Sequence, residues 1–438
     1  MSTNIRKLAL RMLDEYEASG KYVNLALSSH AYDNLTREDR AQLTSLVYTA
    51  VERKLTYDYM ICAFAARELR KIDPHTLNIL RLGMAQLIDM RSIPAFAAVN
   101  ETVKLTSNPG ERAFVNGVLR AASRSLDALP YPDEKKNYRR YLSVKYSFPL
   151  PTVKLFDTLF GREDTERLLD FYNTARYTDL TVNTTRITPE KTIAKLAECG
   201  VEISEKLDTG ASLRINKSVN PEKLPGFSTG DFFVQDRASH IAVSALAPTS
   251  GDTLIDTCAC PGGKSFLAAI LMRGEGRVIS LDLHESKLSL IEDGAERLGL
   301  DIVEAGQCDA TAPRSEFFGI ADKVICDVPC SGLGVLAKKP DLRYKDTDSI
   351  DALPALQLDI LRASSQYLRA GGEMIYSTCT LNPRENADVV NAFLADNPDF
   401  MTVDFTASGY SSTGGMLTLL PHVHHTDGFF IAKLRKTT

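Results

Sequence analysis

Residues 252–264, DTLIDTCACPGGK, set the tightest limit on what this chain can fold into. A short apolar run, Thr253-Leu254-Ile255, ends on Asp256. A loop of small residues with Pro261-Gly262-Gly263 follows, and Lys264 then opens the helix-like run SFLAAILM. Strand, glycine turn and helix in that order are how an open α/β sheet builds a pocket at the carboxyl ends of its strands. Glycines there let backbone N–H groups approach a bound cofactor.

The rhythm repeats downstream. RVISLDL (277–283) reads as a strand, and Leu288, Ile291, Ala295 and Leu298 mark a helix. DIVEAG leads to Cys308-Asp309, and ADKVICDVPC (321–330) is a buried strand running into a loop. Leu358, Leu361 and Leu368 mark a helix expected to end at Gly371-Gly372. EMIYSTCT (373–380) is the next strand, and GFFIAKL (428–434) closes the sheet. Strands alternating with helices imply a mostly parallel, doubly wound sheet.

The N-terminal part differs. Residues 1–128 read as all helix: Ile5, Leu8, Ala9, Met12, Leu13 and Tyr16 repeat at helical spacing, and Asp73-Pro74 is an N-cap with proline at the first helical position. Pro94 opens another helix. Phe114, Val115, Val118, Leu119 and Ala122 form the apolar face of a last one, whose other face carries Arg112, Asn116, Arg120 and Arg124. Such a stripe is either a solvated face or a contact for nucleic-acid phosphate. Residues 129–151, bracketed by Pro130, Pro132, Pro149 and Pro151, read as a linker whose basic cluster of Lys135, Lys136, Arg139 and Arg140 either touches RNA or, the reading favoured, keeps the linker soluble. Residues 152–225 form a small α+β unit, and 226–438 the sheet domain. The chain is therefore expected to be multi-domain: a helical bundle, a linker, a small α+β subdomain and an α/β Rossmann-like domain.

Charge follows the same division. Residues 1–150 carry 22 Lys and Arg against 16 Asp and Glu, a net +6, whereas the whole 438-residue chain is at -5. A basic head on an acidic protein suits an anionic partner. No run of about 18 uninterrupted apolar residues occurs, so no membrane span is expected. The N-terminus has charges inside its apolar run and is no secretory signal, and the expected location is cytoplasmic. The eight cysteines lack the spacing of a secreted disulfide framework, and Cys258-x-Cys260 is too tight for a zinc-ribbon pair. His422, His424 and His425 are close enough in sequence to suggest a metal cluster. Adjacent histidines of a strand point to opposite faces, so no metal is expected, and PHVHHTDGFF reads as a loop over the pocket.

Gly263-Lys264-Ser265 looks like the end of a P-loop, but that motif needs glycine at 258, where Cys258 stands. No GxGxxG follows a strand either, which argues against an NTPase or a dinucleotide enzyme. Acidic residues recur instead at strand ends: Asp282, Asp309 and Asp327. An acid after the second strand suits the hydroxyls of a ribose. No basic residue stands in place for a pyrophosphate. A nucleoside cofactor without phosphates fits, which points to S-adenosyl-L-methionine, whose sulfonium favours carboxylates. Cys62, Cys199 and Cys326 read as small buried hydrophobes. Cys330 and Cys379 each follow a strand into a loop, where a side chain meets a ligand.

TCACPGGKS, DLHESK, CDAT, DVPCSG and STCTLNPREN together resemble the RNA cytosine-5 methyltransferases of the Sun (RsmB) family. IPAFAAVNETVKLTSN (93–108) and RAFVNGVLR (112–120) resemble the NusB-like RNA-binding domain that precedes the catalytic part there. The resemblance implies methylation of small-subunit (16S) ribosomal RNA, of the cytosine-967 type, by a monomer that needs neither membrane nor metal. It implies that Cys258, Ala259, Cys260, Pro261, Gly262, Gly263 and Lys264, with Asp282, Asp309 and Asp327, hold S-adenosylmethionine. Cys379 would be the nucleophile, Cys330 would assist release, and Asp327 would stabilise the adduct at the base's N3 and amino edge. Cytosine C5 is too poor a nucleophile to take a methyl group until a thiolate adds at C6. The target base must leave any stack for this, so single-stranded or loop RNA is the expected substrate. A DNA cytosine methyltransferase would place its nucleophile in the Pro-Cys motif, so the additional Thr-Cys motif discriminates. Three departures stand out: Cys260 replaces the usual alanine, Thr380 a serine, and Ala387 a frequent glutamate. The alternatives are the same chemistry on transfer RNA, and a non-catalytic RNA-binding or antitermination module.

Overall fold

A computed structural model describes residues 4–19, 35–175, 177–217, 219–345 and 350–438. Among them the chain forms two compact units, Met1–Asn173 with Lys338–Tyr344, and Thr174–Ala337 with Lys345–Thr438. Part of the head read as helix, residues 20–34, lies outside the described residues.

The first unit is helical: α1 (Ile5–Ser19), α2 (Arg37–Glu52), α3 (Lys54–Ala65), α4 (Pro74–Ile88), α5 (Ala95–Val103), α6 (Pro109–Arg124), α7 (Tyr138–Tyr146) and most of α8 (Leu150–Thr174). The expected caps are present. Asp73 Oδ1 accepts from the Thr76 N–H at 3.1 Å, and Asn108 Oδ1 from the Glu111 N–H at 2.9 Å. Leu43, Leu46, Tyr57, Leu80, Met84, Val115 and Leu119 are fully buried in one core. Within it Arg81 and Asp58 make a two-pronged ion pair, at 2.7 and 2.8 Å. Residues 129–151 are more than a linker. They carry α7, capped by Asn137 and burying Leu142, Val144 and Tyr146. The prolines at either end hid an apolar repeat at helical spacing. Of their basic cluster, Arg139 pairs with Asp157 at 2.5 Å and Lys136 with Asp133 at 3.8 Å.

The second unit holds two main sheets. A small antiparallel sheet has the order β2-β3-β1-β4, from β1 (Thr178–Val182), β2 (Glu205–Leu207), β3 (Ser212–Ile215) and β4 (Phe232–Val234), with α9 (Pro189–Glu198) beside it. After α10 (Arg237–Leu246) come β5 (Thr253–Asp256), α11 (Gly263–Leu271), β6 (Arg277–Asp282), α12 (Leu288–Leu298), β7 (Val303–Gln307), β8 (Ala321–Asp327), α13 (Leu353–Ser365), β9 (Leu368–Thr378), α14 (Ala387–Asp396), β10 (Phe400–Thr402), β11 (Thr406–Ala407), β12 (Tyr410–Ser411), β13 (Met416–Leu419), α15 (Pro421–His424) and β14 (Phe429–Lys436). The large sheet runs β10-β14-β9-β8-β5-β6-β7, with β13 also paired to β14, and the five contiguous strands from β9 to the β7 edge are parallel. The strand order reverses between β5 and β8, which is where such sheets open a crevice for a ligand.

Three local expectations are corrected. The helix of Leu358 and Leu361 stops at Ser365, and Leu368 with Gly371-Gly372 already belongs to β9. There the pairing of β8 with β9 shifts register between Ala321 and Lys323, so the glycines serve an irregular strand and not a helix end. β14 does not close the sheet; it lies between β9 and β10. Cys199 is exposed and Cys62 half-buried, while Cys326 is buried as expected.

Candidate active site

Residues 258–264 join β5 to α11. Gly262 has φ of 106°, and a Cβ there would come within 2.4 Å of the Phe266 ring. Backbone conformation and packing both require glycine. The loop is tied to the next strand: the Ala259 N–H donates to the Leu281 carbonyl at 2.8 Å, and the Cys260 N–H to Asp282 Oδ2 at 3.2 Å. Asp282, at the end of β6, therefore shapes the loop. Asp309, beyond β7, is exposed. Its Oδ1 accepts from the Thr311 hydroxyl at 2.7 Å and N–H at 2.9 Å, and these bonds hold its pKa below the ordinary carboxylate value. Cys258 is half-buried, and burial pushes its thiol well up.

A cavity of about 200 Å³ opens between this loop and the start of α10, lined by Gln235, Asp236, Ser239, Asp256, Cys258, Ala259, Cys260, Pro261, Gly263, Lys264 and Asp327 among others. The strand β4 pairs into the small sheet although it lies beyond the expected boundary at 225, and the residues after it, Gln235 and Asp236, line the site, with the Gln235 side chain donating to the Gly263 carbonyl at 2.9 Å.

The charges are arranged around Lys264. Its Nζ lies 2.5 Å from Asp327 Oδ2, and Asp327 Oδ1 accepts from the Ser377 hydroxyl at 2.6 Å. Burial works against the lysine's charge, but Asp327, Asp256 and Cys379 outweigh it and raise its pKa. Asp256 is buried at the end of β5. Its Oδ2 accepts from Ser265 at 2.8 Å, Ser280 donates to Ser265 at 2.8 Å, and Oδ1 has no hydrogen-bond partner. Burial pushes its pKa up to about 7, and the neighbouring charge of Asp327 adds to the rise.

The thiols meet because β8 and β9 are parallel neighbours with Asp327 opposite Ser377. Three residues beyond Asp327 and two beyond Ser377 place Cys330 and Cys379 side by side, with their sulfurs 3.1 Å apart and both side chains half-buried. The bond to Cys379 raises the Cys330 pKa, and burial and the charges of Glu385 and Asp327 raise it further.

The structure therefore brings together the glycine loop, Lys264, Asp327, Cys330 and Cys379, and places Asp282 and Asp309 at the neighbouring strand ends. Sequence reasoning missed Asp256, Ser377, Gln235 and Asp236 as site residues. Asp256 carried the same signal as the other acids, a carboxylate closing a strand, and was passed over as part of the loop's lead-in. The histidines are not on a strand: His422 and His424 lie in the short helix α15, and His424 Nδ1 accepts from the Leu420 N–H at 2.7 Å. In the helical unit Arg112, Arg120 and Arg124 are exposed. Arg120 and Arg124 border, with Phe96, an open cavity of about 310 Å³.

Residues 243–435 match the family model described as 16S rRNA methyltransferase RsmB/F, and residues 3–124 that of the NusB family. The chain is 34% identical over 99% of both chains to the probable ribosomal RNA small subunit methyltransferase B of Bacillus subtilis (strain 168). It belongs to that family. To the probable protein of the same name from Synechocystis sp. the identity is again 34%, over 98% of this chain and 99% of the relative. The crystal structure of PH0851 superimposes with a TM-score of 0.81 at 24% identity over 100% of both chains, a likeness of fold. The α/β unit with its glycine loop is thus the catalytic part of a methyltransferase, and the head is a NusB-type helical domain.

Proposed function

We propose that this enzyme transfers a methyl group from S-adenosyl-L-methionine to C5 of a cytosine in small-subunit ribosomal RNA, through a covalent bond between Cys379 and C6 of the base. The observation that carries this reading is the contact of two thiols at the carboxyl ends of adjacent strands, beside the Lys264–Asp327 pair. The names of the family and of its relatives support the ribosomal substrate and the transfer of a methyl group.

The donor set fits that cofactor. The cavity wall carries the carboxyl groups of Asp236, Asp256 and Asp327, the Oδ1 of Asp256 being unpartnered, and among the described residues no cation lines it besides Lys264, which is already matched by Asp327. Such a wall accepts a sulfonium and an ammonium and repels phosphate. The loop 258–264 with Asp282 and Asp309 would hold the nucleoside. Bound there, S-adenosylmethionine supplies an electrophilic methyl group.

The chain's own groups do the rest. The Cys379 thiolate adds to C6, which makes C5 enamine-like and able to take the methyl. Asp327, fixed by Lys264 and Ser377, faces the base's N3 and amino edge and stabilises the adduct. Cys330, held protonated beside Cys379, orients the base that removes the C5 proton; elimination then returns the thiol and leaves 5-methylcytosine. The exposed arginines and Phe96 of the helical unit suit contact with RNA phosphate and bases. Purified enzyme, labelled S-adenosylmethionine and small-subunit RNA should yield 5-methylcytidine on nucleoside digestion, and Cys379→Ala should yield none. Methyl label on another atom, or on transfer RNA alone, would refute the reading.

A further inference from the structure

We propose that Glu385 is a positioning residue that pins the loop of Cys330 to the loop of Cys379 and so sets how the two sulfurs face each other. This rests on the reading of both cysteines as reacting thiols.

Glu385 is fully buried, and its three side-chain partners are all neutral donors. Oε2 accepts from the Ser331 N–H at 2.8 Å and from the Gln357 side chain at 3.1 Å. Oε1 accepts from the Asn382 side chain at 2.9 Å. Ser331 directly follows Cys330. The same Gln357 nitrogen donates to the Pro329 carbonyl at 2.9 Å, directly before Cys330. One carboxylate thus grips both flanks of the first thiol.

On the other side, Asn382 continues into the second loop: its N–H donates to the Thr380 hydroxyl at 3.3 Å. Asn386 donates to the Thr380 carbonyl at 3.0 Å and accepts from the Thr378 hydroxyl at 2.6 Å, which fixes both flanks of Cys379. A buried charge without a cation is costly and persists only where several donors converge on it. The placement makes sense if the separation of the two sulfurs matters to the reaction. The negative charge beside Cys330 also favours its protonated form, in keeping with a role other than nucleophile.

Glu385→Gln keeps the shape but turns one acceptor into a donor, so three donors no longer find two acceptors. Glu385→Asp keeps the charge and withdraws it by one methylene. Two measurements on the full-length protein test the role. The first needs no catalysis: diamide takes the two thiol hydrogens and couples Cys330 to Cys379 as a disulfide, and the rate is followed by peptide mass mapping. It should fall at least tenfold in both variants. The second is the fraction of enzyme held as a covalent RNA adduct during turnover. It should rise several-fold over wild type, with the dissociation constant for S-adenosylmethionine within twofold.

An unchanged coupling rate overturns the proposal, as does full rescue by Glu385→Asp, which would make charge alone responsible. A loss of S-adenosylmethionine affinity in step with the other changes also overturns it, since Glu385 would then serve the fold at large. Wild-type enzyme that forms no Cys379-dependent adduct would instead sink the proposed reaction, and the diamide rates would still decide the place of Glu385.

Discussion

Replacing Asp256 with asparagine should stabilise the protein above pH 7 and have little effect on stability near pH 4. The carboxyl is 1% exposed, and burial pushes its pKa from 3.8 up to about 7. The folded protein therefore keeps a proton that the unfolded chain releases above its lower pKa. Stability from this group is greatest below the unfolded value, falls as pH rises through the interval, and levels off above the folded value. At about 1.4 kcal/mol per unit the full interval is worth about 4 kcal/mol, and the part between pH 5 and pH 8.5 about 3 kcal/mol. Asparagine keeps an acceptor for the Ser265 hydroxyl and carries no charge. The stability gap between variant and wild type should therefore widen by about 3 kcal/mol over that range. Urea unfolding of both proteins at the two pH values measures it, and taking the difference at each pH cancels the other titrating groups. A gap that stays constant would show that Asp256 ionises normally, and the account of its burial would be wrong.

Other perturbations have equally definite outcomes. Lys264→Met removes the counter-charge of Asp327 at a site where the lysine side chain is 13% exposed. Turnover should fall by about 100-fold, a loss of about 3 kcal/mol in transition-state stabilisation, while RNA binding measured by anisotropy stays near wild type. Gly262→Ala imposes φ of 106° on an L residue and drives its Cβ into Phe266. Calorimetry should show a loss of about 2 kcal/mol, and Gly262→Ala with Phe266→Ala should recover only the steric part. Arg81→Leu strands Asp58 in the helical core and should cost about 3–5 kcal/mol by chemical unfolding, with no change in S-adenosylmethionine affinity by titration calorimetry.

Much of this was legible in the chain. A strand ending in Asp256, a glycine loop and a helix announced the pocket, and the acids at 282, 309 and 327 marked successive strand ends. The periodicity of Leu288, Ile291, Ala295 and Leu298 located α12 well because its outer face is polar. What was lost depended on tertiary partners. The strands β10 and β13 are only three and four residues long and hold position by pairing with β14, so no local pattern reveals them. The helix α7 was hidden because prolines at both ends look like a linker, although Tyr138, Leu142 and Tyr146, four apart, already held a helical repeat. The Lys264–Asp327–Ser377 chain and the buried Glu385 join residues 50 or more apart in sequence, except for the links from Glu385 to Asn382 and Gln357. The pairing of β5 with β8 and the register of β8 against β9 bring them into line.

The division of labour between the two thiols is tested most directly by denaturing electrophoresis of Cys330→Ala incubated with small-subunit RNA and S-adenosylmethionine. The account predicts a slow-migrating covalent RNA complex in Cys330→Ala, its absence in Cys379→Ala and in the double variant, and no methylation by Cys379→Ala. A complex that survives in Cys379→Ala, or methylation by that variant, would contradict the assignment of Cys379 as the attacking thiol.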